Sequence, residues 1–174
     1  MILDFTYPDV MRMMVIKRWG IISMTRTQSV AEHSYNVAMM ALNIYNNSRN
    51  LDVSVEWILV LALTHDLPEI HTGDIPMSLK TDEIKQAVKE YENAAYPKLS
   101  MFKQQSKEIE LLIVKAADIM EAITYCRRYS DDPRSNEVIQ GLHDAITALL
   151  GTIPDSMVAV RDDLKEAIDK SWRG

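Results

Sequence analysis

Trp57 to Leu63 reads Trp-Ile-Leu-Val-Leu-Ala-Leu and runs straight into Thr64-His65-Asp66-Leu67-Pro68-Glu69. A stretch this apolar has to be buried, and its length and its Leu and Ala content favour a helix over a strand. A chain that contains it folds around it. Adjacent His and Asp at the inner end of a buried helix are costly without partners. A divalent metal satisfies both at once, because imidazole nitrogen and carboxylate oxygen ligate zinc, manganese, iron and cobalt. The plain alternative is a helix end where Asp66 caps a turn helped by Pro68 and His65 is a hydrogen-bonded core histidine. A lone His-Asp pair does not decide between them.

The 174 residues correspond to one domain by length and suffice for a real core. Hydrophobic residues make up 47% and charged residues 25%, a globular balance that excludes disorder. Five glycines, eleven methionines and few alternating segments point to an all-α protein. The formal charge of −6 gives no footprint for a nucleic-acid polymer, so a small anionic ligand has to meet a local cluster of cations. The single cysteine, Cys126, forms no internal disulfide, which fits a reducing cytoplasm. No signal peptide and no apolar run near the length of a span is seen, so neither export nor a membrane is expected.

Taken in order, Pro8 sits near the start of a first helix, expected over Val10–Arg18 and stopped at Gly20. A Ser- and Thr-rich loop with Arg26 follows. Ser29 with Glu32 three residues on makes a capping box for a helix from Val30 to Asn47, which carries His33 one turn in. Residues 46–53 read as a turn, and Ser54 opens the central buried helix. Loop chemistry follows at His71-Thr72-Gly73-Asp74-Ile75-Pro76. A polar helix begins at Thr81 or Asp82 and is interrupted near Pro97. Another, from about Ser106 to Arg128, buries Ile109, Leu112, Ile113, Ala116, Ala117, Met120 and Ile123, with Asp118 among them. Two amphipathic helices, about 134–151 and 154–172, end the chain. One helical domain covers residues 1–174, with its motifs between about 10 and 128.

His33, the His65-Asp66 pair and Asp118 thus lie on three expected helices, each with an apolar face to bury, and bundles build metal sites from such inward side chains. Singly, each has a bland reading: His33 on a solvated first turn, Asp118 turned toward Lys115 or Arg128. Together, two His and two Asp suit a divalent ion with open positions for water or phosphate oxygen. Such an ion polarises a phosphoryl oxygen and acidifies water.

Arg18-Trp19, Arg26-Thr27, Ser29-Val30-Ala31-Glu32-His33-Ser34, His65-Asp66-x-x-Glu69, Thr72-Gly73-Asp74-Ile75-Pro76, Lys80 and Lys115-Ala116-Ala117-Asp118 occur in that order. In these motifs the chain resembles the HD-domain phosphohydrolases, in particular their bacterial 5′-deoxynucleotidase branch and its compact relatives, the phage-type dATP triphosphohydrolases. The shorter length tilts the reading toward the latter. The resemblance implies an HD-domain helical bundle with a buried metal site, in which His33, His65, Asp66 and Asp118 bind a divalent ion (zinc, cobalt or manganese), with a second ion held partly by substrate phosphates left open. It implies that Glu69 is the acid/base and that Asp74 is a polar partner in the same pocket. Arg18 and Lys80 then contact phosphate, Trp19 packs on the sugar and excludes a 2′-hydroxyl, and Ile21 or Ile22 lies near the base. A deoxynucleotide substrate, a homo-oligomer (its interface on the apolar C-terminal helices) and a cytoplasmic location, that of a host if the gene is phage-borne, complete the expectation.

The residues agree without the family. Arginine's fork takes two phosphate oxygens at once, whereas lysine acts as a point charge. Glu69, three residues after Asp66, stays on the same side of a continuing helix or turn, where it can take or deliver a proton. Two alternatives stay open: Trp19 as a helix-end plug, and Arg26 as an ion pair to Glu32 rather than a substrate contact. The leading activity is hydrolysis of dATP to deoxyadenosine and triphosphate. Hydrolysis of deoxynucleoside monophosphates is second, and a nucleotide-binding regulator without turnover is third.

Overall fold

The computed structural model describes residues 3–48, 51–76 and 79–172. Among them the regular secondary structure is all helical, apart from two isolated antiparallel bridges, Lys17 with Ser29 and Met24 with Ser130. The helices in order are α1 (Tyr7–Met13), α2 (Val30–Asn47), α3 (Val55–Thr64), α4 (Glu69–Thr72), α5 (Asp82–Ala95), α6 (Pro97–Gln105), α7 (Glu108–Tyr129), α8 (Ser135–Gly151) and α9 (Val158–Ser171), with a single 3₁₀ turn at Asp155–Met157 before the last. The turn expected at 46–53 is described only at 46–48 and 51–53.

Local chemistry sets most of these limits. The Ser29 side chain accepts the Glu32 N–H while the Glu32 side chain accepts the Ser29 N–H, so two of the free donors of α2 are satisfied reciprocally. Ser54 caps α3 through the Trp57 N–H. Proline cannot continue α5, and α6 opens on Pro97. The first helix is the correction. It begins behind a Thr6–Asp9 capping box and ends at Met13, not at Arg18. Residues 16–18 instead pair with the strand-like 28–30 segment, through Arg18 N–H to Gln28 O at 3.0 Å and Val30 N–H to Ile16 O at 3.0 Å. Gly20 therefore stops no helix.

The core lies where α2 packs on α3, α7 and α9, and α7 on α3 and α8. Val37, Ala41 and Ile44 of α2 meet Ile58, Leu61 and Ala62 of α3 and Ile113, Ala116, Ala117, Met120 and Ile123 of α7, all essentially buried. Each large aliphatic side chain there contributes about 1.5–3 kcal/mol by leaving water. Leu142 and Ile146 of α8 and Leu164 and Ile168 of α9 pack into this core. A smaller cluster of Met13, Val30, Leu67, Tyr96 and Leu99 fixes α1 and α6 beside the end of α3. Because α2, α3 and α7 converge, their polar intruders are carried to one point.

Candidate functional site

That point is His33. Its ring is fully buried, and its Nε2 lies 3.2 Å from Asp118 Oδ1 and 3.5 Å from Asp66 Oδ2. His65 Nε2 lies 3.3 Å from His33 Nε2 and 3.3 Å from Asp66 Oδ2. The tautomers follow from the other ring nitrogens. His65 Nδ1 is 2.8 Å from the Ala62 carbonyl, and a carbonyl only accepts, so Nδ1 carries the proton. His33 Nδ1 is 2.7 Å from Glu121 Oε2 and is protonated for the same reason. With the rings neutral, both Nε2 atoms present lone pairs to each other and to two carboxylate oxygens. Four acceptors aimed at one small volume repel unless a cation sits among them. The donor set fits a divalent ion, and His33, His65 and Asp66 offer ligand atoms all within 4.8 Å of one another. Asp118 uses its two oxygens differently: Oδ1 faces His33, while Oδ2 accepts from Lys115 Nζ at 2.6 Å. Asp118 thus faces His33 and Lys115 at once.

In metal-free protein a proton on His33 Nε2, shared with Asp118, is the cation that answers these acceptors. Burial disfavours the charged form of His33, but the Asp118 and Glu121 carboxylates outweigh it and hold its pKa up at about 9. Burial likewise works against ionised Asp66, but His65, His33 and Arg18 keep it well below the usual carboxylate range. Asp118 is also held low, against burial, by Lys115 and the two histidines. Glu69 behaves in the opposite way. Burial first, then Asp66 and Asp74, push it up to about 8 against the pull of Arg18 and Lys80. A carboxyl kept protonated beside ionised ones is poised to give a proton.

These groups open onto one cavity of about 1150 Å³, ample for a nucleotide. Arg18, Trp19, Ile21, Ile22, Glu69, Asp74 and Lys80 all line it, with further cations at Lys85, Lys103 and Lys115. Arg18 Nη1 donates to Asp66 Oδ2 at 2.8 Å, while its Nε and the Oε2 of Glu69 are buried without a protein partner. Buried polar atoms of that kind are expected where a ligand completes them. Lys80 Nζ stands 3.9 Å from Glu69 Oε1. Asp74 Oδ2 accepts the Trp19 N–H at 3.2 Å and so helps hold Trp19 at φ 68°, a left-handed conformation that costs a bulky residue of order 1–3 kcal/mol.

Arg26 is not part of this cavity. It is half exposed, pairs with Glu32 at 2.5 Å and lies over the Tyr129 ring, as the ion-pair alternative anticipates. His71 bonds the Tyr96 hydroxyl, and His143 meets Arg127. Three residues that sequence reading passes over belong to the site: Glu121, Gln28 and Asn36. Gln28 Nε2 donates to Glu121 Oε1 at 2.6 Å and Asn36 Nδ2 to the same oxygen at 3.0 Å. A usable signal existed for Glu121, a lone acid in Ile119-Met120-Glu121-Ala122-Ile123 one turn after Asp118.

An all-helical bundle with this His/Asp cluster at its centre defines the class of HD-type metal-dependent phosphohydrolases. The family model of YfbR-like 5′-deoxynucleotidases matches residues 6–132, and the chain belongs to that family and is an enzyme of that class. It is 32% identical over 176 residues to the dATP triphosphohydrolase of Salmonella phage PMBT28, an alignment covering 94% of this chain and 90% of that one. With the 5′-deoxynucleotidase YfbR of Escherichia coli it shares 33% identity over 129 residues, which span 71% of this chain and 60% of that protein. The cyanophage S-2L HD phosphohydrolase DatZ, solved with dA and one catalytic Zn²⁺, superposes with a TM-score of 0.86 at 24% identity, covering 98% of both chains. That likeness shows the shared fold. No helix among the described residues is long and apolar enough to cross a membrane.

Proposed function

We propose that this chain hydrolyses 2′-deoxynucleotides at the phosphorus bonded to the 5′ oxygen, with dATP as preferred substrate and deoxyadenosine and triphosphate as products. The observation that carries the reading is the convergence of His33, His65, Asp66 and Asp118 on one point, with Arg18 and Glu69 facing the same cavity. In this reading those four side chains hold the divalent ion, zinc, cobalt or manganese. When bound, the ion supplies Lewis acidity toward a phosphoryl oxygen and toward water. Arg18 holds phosphate oxygens through its fork, and Lys80 neutralises charge beyond it. Glu69, protonated, hands its proton to the departing 5′ oxygen as the P–O bond breaks, and water supplies the hydroxyl that phosphorus gains. Trp19 stacks on the deoxyribose where a 2′-hydroxyl has no room, Asp74 fixes Trp19, and Ile21 and Ile22 border the base.

Two observations favour a triphosphate. The similar phage protein is named for dATP and is matched over almost its whole length. Lys85, Lys103 and Lys115 also line the cavity, each held by one carboxylate (Asp82, Glu92 and Asp118) with which a longer phosphate chain competes. The family match favours hydrolysis of deoxynucleoside monophosphates as the second reading. Incubation of metal-loaded protein with dATP and with dAMP separates them, through triphosphate from the first or phosphate from the second.

The reading extends to the whole molecule. Residues 1–174 act as a single HD domain in the cytoplasm, of a host if the gene is phage-borne, without a nucleic-acid polymer or a membrane as partner. Self-association into a homo-oligomer is part of it. The exposed apolar residues Tyr7, Val10 and Met11 on α1 and Met14 and Val15 just after it support a contact there.

A further inference from the structure

Gln28 is a fully buried polar residue in a loop that carries no part of the ligand pattern, and its bonds reach three different parts of the site. Its side-chain oxygen accepts the Trp19 indole N–H at 3.0 Å, and its side-chain nitrogen donates to Glu121 Oε1 at 2.6 Å. Its backbone carbonyl accepts the Arg18 N–H at 3.0 Å. The amide orientation is forced: an indole nitrogen only donates and a carboxylate only accepts, so no flipped amide serves both. Glu121 passes the contact on through Oε2 to His33 Nδ1. An unbroken chain of hydrogen bonds therefore runs from Trp19 through Gln28 and Glu121 to the imidazole at the centre of the cluster.

We propose that Gln28 is a positioning residue that couples the sugar-discriminating Trp19 to the metal-holding His33. This deepens the reading given above and rests on it for the roles of Trp19 and His33. The physical basis is the cost of a half-satisfied buried network. Without the Gln28 amide, Glu121 Oε1 keeps only the longer bond from Asn36 and is freer to turn, His33 has a less firmly fixed partner for its Nδ1–H, and the indole loses the acceptor that orients its ring at a strained backbone position. Partners of metal-binding histidines typically change metal affinity by about 10–100-fold when removed. Coupling of this kind makes ribose discrimination and metal affinity move together, although Gln28 touches neither sugar nor metal.

The test is Gln28→Met, which keeps length and burial but offers neither bond, with Trp19→Phe as a second variant that keeps an aromatic ring and removes the indole donor. Two quantities are read: the Co²⁺ dissociation constant by titration, and the ratio of kcat/KM for dATP over ATP. The expected result for Gln28→Met is Co²⁺ binding weaker by about tenfold or more together with a several-fold fall in the dATP:ATP ratio. Trp19→Phe is expected to weaken Co²⁺ binding about threefold from outside the ligand shell. A merely structural Gln28 lowers Tm and leaves both quantities within twofold of wild type, which overturns the proposal, as does a change in one quantity alone. If Gln28→Met does not fold, Co²⁺ affinity in Trp19→Phe decides, and an unchanged value overturns the coupling. Absence of turnover in wild-type protein with any nucleotide instead defeats the functional reading. The coupling is then read from Co²⁺ affinity and from equilibrium binding of deoxyadenosine against adenosine.

Discussion

The Nε2 atoms of His33 and His65 face each other 3.3 Å apart while both Nδ1 atoms are already bonded to acceptors, Glu121 and the Ala62 carbonyl. With both rings neutral, two lone pairs at that distance, beside the oxygens of Asp66 and Asp118, make a site whose natural occupant is a cation. Removal of metal by a chelator is therefore expected to destabilise the protein. At free metal a hundredfold above its dissociation constant the loss is about 2.7 kcal/mol, roughly 5–10 °C in Tm for a chain of this size. Thermal unfolding with and without chelator measures it, and a Tm that does not move contradicts the assignment.

Asp118→Ala removes one member of the cluster and frees Lys115, its partner at 2.6 Å. The expected result is metal content well below stoichiometric after dialysis, with activity lost in proportion, read by elemental analysis. Full metal content in this variant removes Asp118 from the shell.

Glu121→Gln keeps the volume of the side chain but sets an amide among donors from Gln28, Asn36 and His33. Metal affinity is expected to fall about 10–100-fold with α-helical content unchanged. Titration with Co²⁺ followed by circular dichroism checks both, and retained affinity means that His33 is oriented by something else.

The pH dependence of metal-free protein has a definite sign. Burial, Asp66 and Asp74 raise Glu69 to about 8, so the folded state holds that proton more tightly than the unfolded chain. Its contribution to stability is full below the ordinary carboxylate pKa and is lost as pH rises through about 8. His33, raised to about 9, contributes in the same direction but only from about its ordinary pKa of 6.5 upward. The difference in Tm between wild type and Glu69→Gln is accordingly expected to shift against wild type between about pH 5 and pH 8. A difference constant across that range shows that Glu69 titrates normally.

The 21–25 loop is tied to the start of α8. Asp132 Oδ2 accepts the Ser23 N–H at 3.1 Å, and Arg134 Nη2 donates to both Asp132 and the Ile21 carbonyl, the latter at 2.8 Å. Arg134→Ala is expected to loosen Ile21 and Ile22, narrowing the preference for dATP over the other deoxynucleotides several-fold while leaving metal content intact. Competition assays with the four dNTPs test this. An unchanged preference would detach base selection from the loop.

Sequence legibility followed the range of the forces involved. The bounds of α2 and the start of α3 were readable because Ser29, Glu32 and Ser54 act on residues three positions away. His33, His65, Asp66 and Asp118 stood out as polar residues on faces that had to be buried. The end of α1 was not readable, because residues 16–18 leave the helix to pair with residues 28–30, a contact that periodicity does not encode. Gln28 escaped notice because a glutamine in a polar loop looks solvated, and only the fold shows it to be buried between Trp19 and Glu121. Arg26 carried the reverse lesson, since a cation beside the ligand pattern in sequence turned outward to Glu32 in space.

The most direct measurement of the central claim is identification of products after incubating zinc- or cobalt-loaded protein with dATP, dAMP and ATP. Deoxyadenosine and triphosphate from dATP, with ATP left largely intact, is the predicted result. Intact dATP and dAMP in a protein whose metal site is fully loaded would contradict it.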